Sequence, residues 1–363
     1  MKIGIIGTRG IPNNHGGFEQ FAEYLSKYLV EEGHDVYVYN SHAHPYQKKT
    51  WNGVYIIHKN DPEDNIGTFG QFIYDFNCII DSRKRNFDII LQLGYTSSSI
   101  WGWLLPKKSI IVTNMDGLEW KRSKYSKPVQ IFLKIAESLA IRTSDFLVAD
   151  SIGIQDYLNE KYKTVSEYIA YGAELFTNPQ EIVLESYGVE KHSFDLLIAR
   201  LEPENNIEVI LDGVVMSGIN RSFLVIGKHD TKFGEYLKRK FSRSTNIIFL
   251  GGIYNLNHLN NLRYFSNLYF HGHSVGGTNP SLLEAMASNS LIIANDNIFN
   301  KGVLGDNAYY FKNSDDVAIL LQKNKMEASE FLTINAGKIK NELNWNSINK
   351  KYETYLLSIL QKS

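Results

Sequence analysis

His271 begins a stretch, HGHSVGGTNPSLLEAMA, that continues to Ala287 and decides the fold of its half of the chain. The apolar run at 267–270 before it predicts a strand, and the residues from Ser281 to Ala287 are good helix formers. Pro280 stands where this helix would begin, and proline is tolerated in a first helical turn. A strand, a glycine loop and a helix together present free backbone N–H groups and a positive helix end to a phosphate.

The loop itself consists of Gly276, Gly277, Thr278 and Asn279, and Glu284 lies about one turn inside the predicted helix. A carboxylate at that place can accept hydrogen bonds from two adjacent hydroxyl groups, as on a ribose. The alternative is an ordinary strand-to-helix connection with a solvated glutamate, because glycine-rich loops of this kind are common. These residues by themselves leave both interpretations open.

The composition is that of a soluble globular protein, with 43% hydrophobic and 21% charged residues. A chain of 363 residues is too long for one typical core, so we expect two domains. The net charge of −1 gives no basic field that would recruit nucleic acid. Cys78 is the single cysteine, which excludes an internal disulfide and a thiolate metal cluster.

The sequence offers no membrane span, because no run of about 18 apolar residues occurs. The segment Met1–Gly7 is too short for a signal peptide, so we expect a cytoplasmic protein. We also expect no cofactor and no metal site. His271 and His273 are two residues apart and have no third ligand nearby.

The N-terminal half opens with a strand, a glycine loop, a helix and a second strand. The strands are predicted at 2–6 and 36–39, and the helix begins near Phe18 and stops at Gly33. This order is typical of a doubly wound α/β domain, although the Gly-x-Gly-x-x-Gly fingerprint is absent. Gly16 and Gly17, at the start of the helix, would let a ligand approach the backbone closely. A plain helix N-terminus is the alternative.

The alternation of strands and helices continues through this half. Further strands are predicted at 54–57, 87–91, 109–113, 146–149 and 167–170, and helices at 68–83 and 129–141. Since ligands of open α/β sheets bind beyond the carboxyl ends of the strands, the loops at 94–95 and 114–117 are candidate site loops. Asp116 is the one carboxylate there. It either accepts a hydrogen bond from a substrate hydroxyl or forms the Asp-Gly turn.

The segment Glu119–Pro128 is basic and aromatic, with lysines at 121, 124 and 127 and Arg122. It either contacts anionic lipid head groups or a diphosphate-bearing acceptor, or it is a solvated loop whose Trp120 packs inward. Both interpretations remain open.

The second half repeats the pattern after a linker that we place between about 173 and 192. Strands are predicted at 194–199, 222–226, 246–250 and 291–294, a helix at 207–216, and a helical tail from Ser314. Arg200 follows the first of these strands and is the best candidate for an anion contact, because a guanidinium binds phosphate bidentately. Its alternative is a salt bridge with Glu202 or Glu204. Lys228, after the second strand, is a weaker candidate.

This arrangement resembles the GT-B glycosyltransferases, specifically the large retaining family four, over essentially the whole chain. The segments that carry the resemblance are Gly16-Gly17, RLEPENN at 200–206 and the stretch 276–287. The motifs GTRGIP at 7–12 and GGFE at 16–19 are similar to those of a bacterial subgroup. Its characterised members include rhamnosyltransferases of capsule and cell-wall polysaccharide assembly.

The resemblance implies two Rossmann-like domains that face a central cleft. The acceptor-side domain would span 1–172 and the nucleotide-sugar domain 173–340, and a C-terminal helix in 341–363 would cross back to the first domain. The expected partners are a nucleotide-sugar donor and a saccharide or lipid-linked saccharide acceptor, with peripheral contact at the inner membrane surface.

The resemblance also implies roles for individual residues. Arg200 would bind the donor diphosphate and stabilise the charge that develops on it. Glu284 would bind the ribose or deoxyribose hydroxyl. The loop residues Gly277, Thr278 and Asn279 would line the diphosphate and donor sugar, and Gly16 and Gly17 would approach the donor phosphate or the acceptor.

Three positions depart from the family pattern. Gly276 replaces the usual first glutamate, which is compatible with a deoxysugar donor such as rhamnose in dTDP-rhamnose. Asn205 replaces the usual lysine, and Lys228 would have to supply that charge. Asp116 stands where many members have a histidine near the donor sugar, and we assign it a catalytic role together with Arg200.

The implied reaction is a retaining, metal-independent transfer in which positive groups stabilise the leaving nucleoside diphosphate. Two alternatives come from other classes. A sugar-nucleotide epimerase of the same architecture would need no acceptor. A non-catalytic sugar-nucleotide-binding protein would bind the donor without turnover.

Overall fold

The computed structural model describes residues 1–14, 16–122 and 124–362. The chain divides into two compact units, and each is built on its own parallel sheet. The first unit comprises Met1–Trp120, Ser126–Tyr171 and Trp345–Ser363, and the second comprises Lys121–Tyr125 and Gly172–Asn344. The predicted α/β class with two doubly wound parts is confirmed by these two sheets.

The first unit contains an eight-stranded sheet. Its strands are β1 (Lys2–Ile6), β2 (Asp35–Ser41), β3 (Thr50–Trp51), β4 (Val54–Lys59), β5 (Ile89–Leu93), β6 (Ile110–Asn114), β7 (Phe146–Ala149) and β8 (Glu167–Tyr168). Its helices are α1 (Gly17–Glu31), α2 (Glu63–Ile66), α3 (Phe69–Ser82), α4 (Lys127–Thr143), α5 (Ile152–Tyr162) and α13 (Trp345–Leu360). A 3-10 helix spans Ser99–Leu104.

The strand order of this sheet is β3-β4-β2-β1-β5-β6-β7-β8, and all neighbours are parallel except β3 and β4. The chain leaves β1 towards β2 and β4 on one side and then continues with β5 on the other side of β1. The strand order therefore reverses between β1 and β5. Loops diverge at such a reversal and leave a crevice at the carboxyl ends of the two strands.

The second unit contains a six-stranded parallel sheet. Its strands are β9 (Phe194–Ile198), β10 (Ser222–Ile226), β11 (Ile247–Gly251), β12 (Tyr269–His271), β13 (Ile292–Asn295) and β14 (Tyr309–Phe311). Its helices are α6 (Ile207–Ser217), α7 (Lys232–Lys240), α8 (Leu256–Phe265), α9 (Pro280–Ala287), α10 (Ile298–Leu304), α11 (Ser314–Leu320) and α12 (Ser329–Asn341). Three 3-10 helices cover Glu181–Tyr187, Pro203–Asn205 and Lys325–Glu327.

The order in this second sheet is β11-β10-β9-β12-β13-β14, so the reversal lies between β9 and β12. Both strands are largely buried and mostly apolar, as strands of parallel sheets usually are. Arg200 follows β9, and the glycine loop follows β12. The two strongest sequence candidates therefore lie at the crevice of one sheet.

Several short elements were not predicted from the sequence, among them the edge strands β3 and β14 and the helices α5, α7 and α8. Strand β3 has two residues and β14 three, too few for an alternation to stand out. Helix α7 is strongly charged, KFGEYLKRK, with only Gly234 and Leu237 buried, so its apolar stripe is narrow. The described part of the chain contains no helix that is both long and apolar enough to cross a membrane.

Candidate functional site

The strand, loop and helix predicted at 267–287 are present in the second unit. Gly276 has a φ of 132°, a backbone conformation that residues with a Cβ rarely adopt. The Asn279 side chain accepts a hydrogen bond from the Ser281 N–H at 2.9 Å and so caps α9, whose first residue is Pro280. Thr278 is buried, with 4% of its surface exposed. The loop is thus held in one conformation at the N-terminal end of a helix.

Glu284 is not a freely solvated carboxylate. It lies 2.6 Å from the Arg263 guanidinium, whose side chain is 1% exposed, whereas the Glu284 side chain is 22% exposed. Arg263 is fixed in turn, because it donates hydrogen bonds to the Asn260 amide oxygen and the Ser281 hydroxyl. One part of the Glu284 carboxylate is therefore anchored from below and the other part remains accessible to a ligand.

Arg200 is exposed, and in the described ranges its guanidinium makes no ion pair, so the alternative of a salt bridge with Glu202 or Glu204 is wrong there. Its backbone is fixed, since the Arg200 carbonyl accepts hydrogen bonds from the Asn205 amide at 2.7 Å and the Glu202 N–H at 2.8 Å. Asn205 is 4% exposed. It closes this turn, so Asn205 has a structural role at the position where the resemblance led us to expect a lysine.

Two histidines at the end of β12 complete the crevice. The rings of His271 and His273 stack at 4.5 Å with an angle of 16° between their planes. Burial of the ring and the nearby charges of Arg200 and Arg122 lower the pKa of His273 to about 3, and burial also holds the pKa of His271 well below its usual value. Both rings are therefore neutral near pH 7 and add no charge to the crevice.

Hydrogen-bonding capacity remains on these two rings. Both ring nitrogens of His271 and Nδ1 of His273 have no hydrogen-bond partner in the part of the chain that the structure describes. The charge of Arg122, which belongs to the second unit, reaches His273. The sequence indicates only that Arg122 lies in a basic segment and that His271 and His273 are unsuitable zinc ligands, so the nearness of Arg200 and Arg122 to the histidine pair is a finding of the structure.

Lys228 follows β10 and forms an ion pair with Asp230 at 3.4 Å, and both side chains are about two-thirds exposed at 67% and 65%. Such an exposed ion pair contributes little to stability, and breaking it costs little free energy. The preceding Gly227 packs closely, since a Cβ there would lie 2.0 Å from the Ala199 carbonyl oxygen. Lys228 is thus carried on a tight turn between neighbouring strands, but it is less fixed than Arg200.

The first unit has a cavity of its own, of about 240 Å³, at the carboxyl ends of β1 and β5. Its lining includes Gly17, Asp116 and the predicted site loop at Gly94 and Tyr95. Gly16 precedes α1 as its N-terminal capping residue. The structure therefore places Gly16, Gly17 and Asp116 in the first unit, and Arg200, Lys228, the glycine loop and Glu284 in the second.

Asp116 forms the turn, which is one of the two interpretations that the sequence left open. Its φ of 33° and the hydrogen bond from its N–H to the Asn114 side chain, 3.0 Å long, are those of a turn former. Asp116 also lines the cavity. A catalytic role of Asp116 stays a prediction.

Carboxyl groups are the most frequent charged groups in the lining of this cavity. Of these, only Asp116 was a candidate site residue from the sequence. Asp75 is buried on α3, and burial raises its pKa to about 7, with the nearby Asp61 acting in the same direction and the Ser97 hydroxyl and Arg9 against it. Arg9 is bound by both oxygens of Glu63, at 2.7–2.9 Å. Glu19, in the first turn of α1, accepts hydrogen bonds from the Thr8 hydroxyl and the Arg9 N–H.

Known protein structures share the fold of this chain, whereas the matching sequence family has no known function. Residues 1–174 match a family model described as a domain of unknown function, DUF1972. Among curated protein sequences, none matches this chain. A sucrose-phosphate synthase from Thermosynechococcus elongatus superposes with a TM-score of 0.82 at 16% identity, covering 100% of both chains. The chain has the GT-B fold.

Two further solved structures with the GT-B fold are similar over nearly the whole chain. A glycosyltransferase from Rickettsia africae ESF-5 gives a TM-score of 0.71 at 16% identity, covering 99% of this chain and 98% of that one. HepE of Anabaena, in complex with UDP and glucose, gives 0.74 at 13% identity, covering 98% and 99%. At such identities the similarity concerns the fold, and the activity must be inferred from the site.

Proposed function

We propose that this protein is a glycosyltransferase that moves a sugar from a nucleotide-sugar donor to a saccharide acceptor. The observation that carries the proposal is the crevice of the second unit. An exposed arginine, Arg200, a capped glycine loop at the start of α9, and a half-accessible carboxylate, Glu284, lie at the carboxyl edge of one sheet. These are the groups that a diphosphate and a ribose require.

The nucleotide end of the donor is bound by the anchored carboxylate. Glu284 accepts hydrogen bonds from the sugar hydroxyls of the nucleoside, and Arg263 holds the carboxylate in place from the buried side. A carboxylate that is oriented before the ligand arrives loses less conformational entropy on binding. Arg263 is thus a positioning residue for the donor site.

The diphosphate lies against Arg200 and the backbone N–H groups of the loop at 276–279. When the bond to the sugar breaks, negative charge develops on the departing diphosphate. Arg200 and the helix end stabilise that charge without having to reorient, which lowers the barrier. The acceptor hydroxyl then attacks the oxocarbenium-like sugar. We expect retention of configuration and no requirement for a metal.

The donor that we propose is dTDP-rhamnose, and the acceptor a lipid-linked saccharide of bacterial surface polysaccharide assembly. The sequence resemblance to the rhamnosyltransferase-like subgroup supports this choice, as does Gly276, which removes a carboxylate that would bind a donor-sugar hydroxyl. HepE of Anabaena, with the same fold, was solved in complex with UDP-glucose. A UDP-hexose is therefore the main competing donor.

A thermal-shift screen against UDP-, GDP-, ADP- and dTDP-sugars tests the donor site. A donor at about one hundred times its Kd should raise the Tm by about 5 °C, since it binds only the folded state. The shift should disappear in Glu284→Ala. Exposed Glu330→Ala, on α12, is the matched control and should keep the shift.

The outcomes separate the candidate functions. A shift with a UDP-hexose and none with dTDP-rhamnose would keep the transferase and remove the rhamnosyl assignment. Conversion of the donor alone into a new nucleotide sugar would identify an epimerase. Donor binding without turnover, with any acceptor or with water, would leave a sugar-nucleotide-binding protein. No shift with any donor would contradict the proposed function.

We also propose that the first unit contacts an anionic membrane surface through α4. Ile131 and Ile135 are one helical turn apart and are 60% and 54% exposed. Lys134 on the same helix and Lys161 on α5 border a shallow groove with them, together with Arg142. Apolar side chains ringed by cations fit the boundary between lipid head groups and acyl chains.

Co-sedimentation with vesicles tests this surface. We expect binding to vesicles that contain anionic phosphatidylglycerol, weak binding to neutral vesicles, and at least a tenfold loss of binding in the double variant Ile131→Ser, Ile135→Ser. Ile319→Ser is the control, because this residue is 68% exposed on α11 of the second unit. Equal sedimentation of wild type and double variant would contradict the proposal.

A further inference from the structure

The His-Gly-His segment at 271–273 is fastened to the turn that carries Arg200. The Asn206 side chain donates a hydrogen bond to the Gly272 carbonyl at 2.8 Å. A Cβ at Gly272 would lie 2.0 Å from the Asn205 carbonyl oxygen, so this close approach requires a glycine between the two histidines. The histidine pair and the Arg200 turn are therefore held together at the carboxyl edge of the sheet in the second unit.

His273 is fixed through both its backbone and its ring. Its carbonyl accepts hydrogen bonds from the Asn297 side chain at 2.9 Å and from the Asn300 side chain at 3.1 Å. Its ring stacks on that of His271, and its Nδ1 is enclosed without a hydrogen-bond partner among the described residues. The residue as a whole is only half-buried, so the edge of the ring with Nε2 reaches the surface, where it makes no hydrogen bond within the described ranges.

Two guanidinium groups, those of Arg200 and Arg122, lie near this ring. Burial lowers the pKa of His273 to about 3, and the charges of the two arginines act in the same direction. Each charge must be close to the ring, because charge interactions are largely screened beyond about 10 Å in salt solution. Arg122 is half-buried, and its segment, Lys121–Tyr125, belongs to the second unit. The ring itself is neutral and keeps one N–H group, which can donate a hydrogen bond.

The charges around the ring favour an anion. Both charges that act on His273 are positive, whereas a diphosphate carries more negative charge than a single guanidinium balances. Lys228 is the other candidate for the second positive charge, but its side chain is 67% exposed and pairs with Asp230. Asn205, which replaces the lysine expected from the resemblance, is engaged in closing the turn. Arg122 is therefore the better placed second cation, because its charge reaches the ring beside Arg200.

We propose that His273 and Arg122 complete the diphosphate site at Arg200. His273 donates a hydrogen bond from Nε2 to a phosphate oxygen, and Arg122, rather than Lys228, supplies the second positive charge. The inference deepens the proposed function and rests on it in taking the bound anion to be the donor diphosphate. As the bond to the sugar breaks, two cations and a neutral hydrogen-bond donor, all in place before the reaction, share the charge of the departing diphosphate.

Isothermal titration calorimetry on the full-length chain tests the inference with pyrophosphate, UDP and dTDP as probes. Arg122→Gln should weaken the binding of each probe by about tenfold or more, because it removes a charge-assisted contact. The loss should shrink as the salt concentration rises, since salt screens the interaction that the variant lacks. Arg122→Lys keeps the charge and should bind more tightly than Arg122→Gln. Lys340→Gln, exposed on α12, is the matched control and should bind all three probes as the wild type does.

Two substitutions of His273 separate its hydrogen bond from its stacking. His273→Phe keeps a flat ring that can stack on His271 but has no N–H group, so it should weaken the three probes by about tenfold. His273→Gln loses the ring and keeps an amide N–H group at a similar reach, so it should bind more tightly than His273→Phe. Far-UV circular dichroism and the Tm without ligand check that both variants are folded.

The failure of this inference is distinguishable from the failure of the proposed function. Wild-type affinity in either Arg122→Gln or His273→Phe would overturn the inference, and so would weaker binding in His273→Gln than in His273→Phe, whatever the donor screen shows. Pyrophosphate binding that responds to these variants, without binding of any nucleotide sugar, would contradict the proposed function and keep the anion site. No binding of any of the three probes by the wild type would overturn both.

Discussion

Arg200→Ala is expected to lower the rate of nucleoside diphosphate release by about 10²–10³-fold while leaving the fold intact. The effect is large because the guanidinium is the exposed cation at the reversal between β9 and β12, where charge would develop on the diphosphate. The fold should survive, since the turn is held through the Arg200 carbonyl, which the substitution keeps. The assay is release of nucleoside diphosphate from the donor found in the screen, with far-UV circular dichroism as the check on folding.

Two further variants make this test specific. Arg200→Lys keeps the charge and loses the bidentate geometry, so it should retain more activity than the alanine variant. Lys228→Ala removes a second exposed cation of the same sheet edge, one that already pairs with Asp230. The rate of nucleoside diphosphate release should fall by about tenfold or less in this variant. A wild-type rate in Arg200→Ala would show that Arg200 takes no part in the reaction.

Glu137→Ala should lower the free energy of unfolding by about 3 kcal/mol or more, the largest stability effect that we expect from a single polar residue. Glu137 lies on α4 with 1% of its side chain exposed. Its carboxylate accepts hydrogen bonds from four side chains of the first unit, namely Trp120, Tyr157, Lys161 and Tyr162. Removing it would take away the acceptor that these four donors share, in a cluster that water enters only in part. Urea unfolding measures the change.

Two further variants separate the charge of Glu137 from its hydrogen bonds and from a general effect of substitution. Glu137→Gln keeps an acceptor oxygen without the charge and should cost less than the alanine variant. Glu160→Ala, exposed on the neighbouring helix α5, should change stability by no more than about 0.5 kcal/mol. A Glu137→Ala variant as stable as the wild type would mean that the four donors find water or other acceptors. It would then show that the cluster does not stabilise α4 against α5.

The features that sequence analysis found are local ones. The glycine loop at 276–279 and the helix start at Pro280 lie within a few residues of one another, so their order is visible in the sequence. Arg200 could be found for the same reason, because it directly follows a continuous apolar run. Parallel strands then bring such strand ends to one edge of the sheet, which is a property of the architecture.

The features that it missed connect residues that are far apart in the chain. Arg263 reaches Glu284 across 21 positions from another helix, and nothing near Glu284 in the sequence indicates that partner. Asp75 lies on an amphipathic helix, where a carboxylate is usually solvated. Its burial follows from the loops around it. The basic segment near Arg122 was ambiguous because its contribution at His273 depends on tertiary packing.

Helix α13 belongs to the first unit although the entire second unit precedes it in the chain. Tyr352 on α13 is fully buried, packs on Phe21 with ring centroids 4.8 Å apart, and accepts a hydrogen bond from the Asn114 side chain at 2.9 Å. During synthesis at about 5–20 residues per second, the ribosome therefore releases a complete second unit before it releases the last piece of the first core. The apolar face of α1 in the nascent first unit therefore stays uncovered until the second unit has been synthesised.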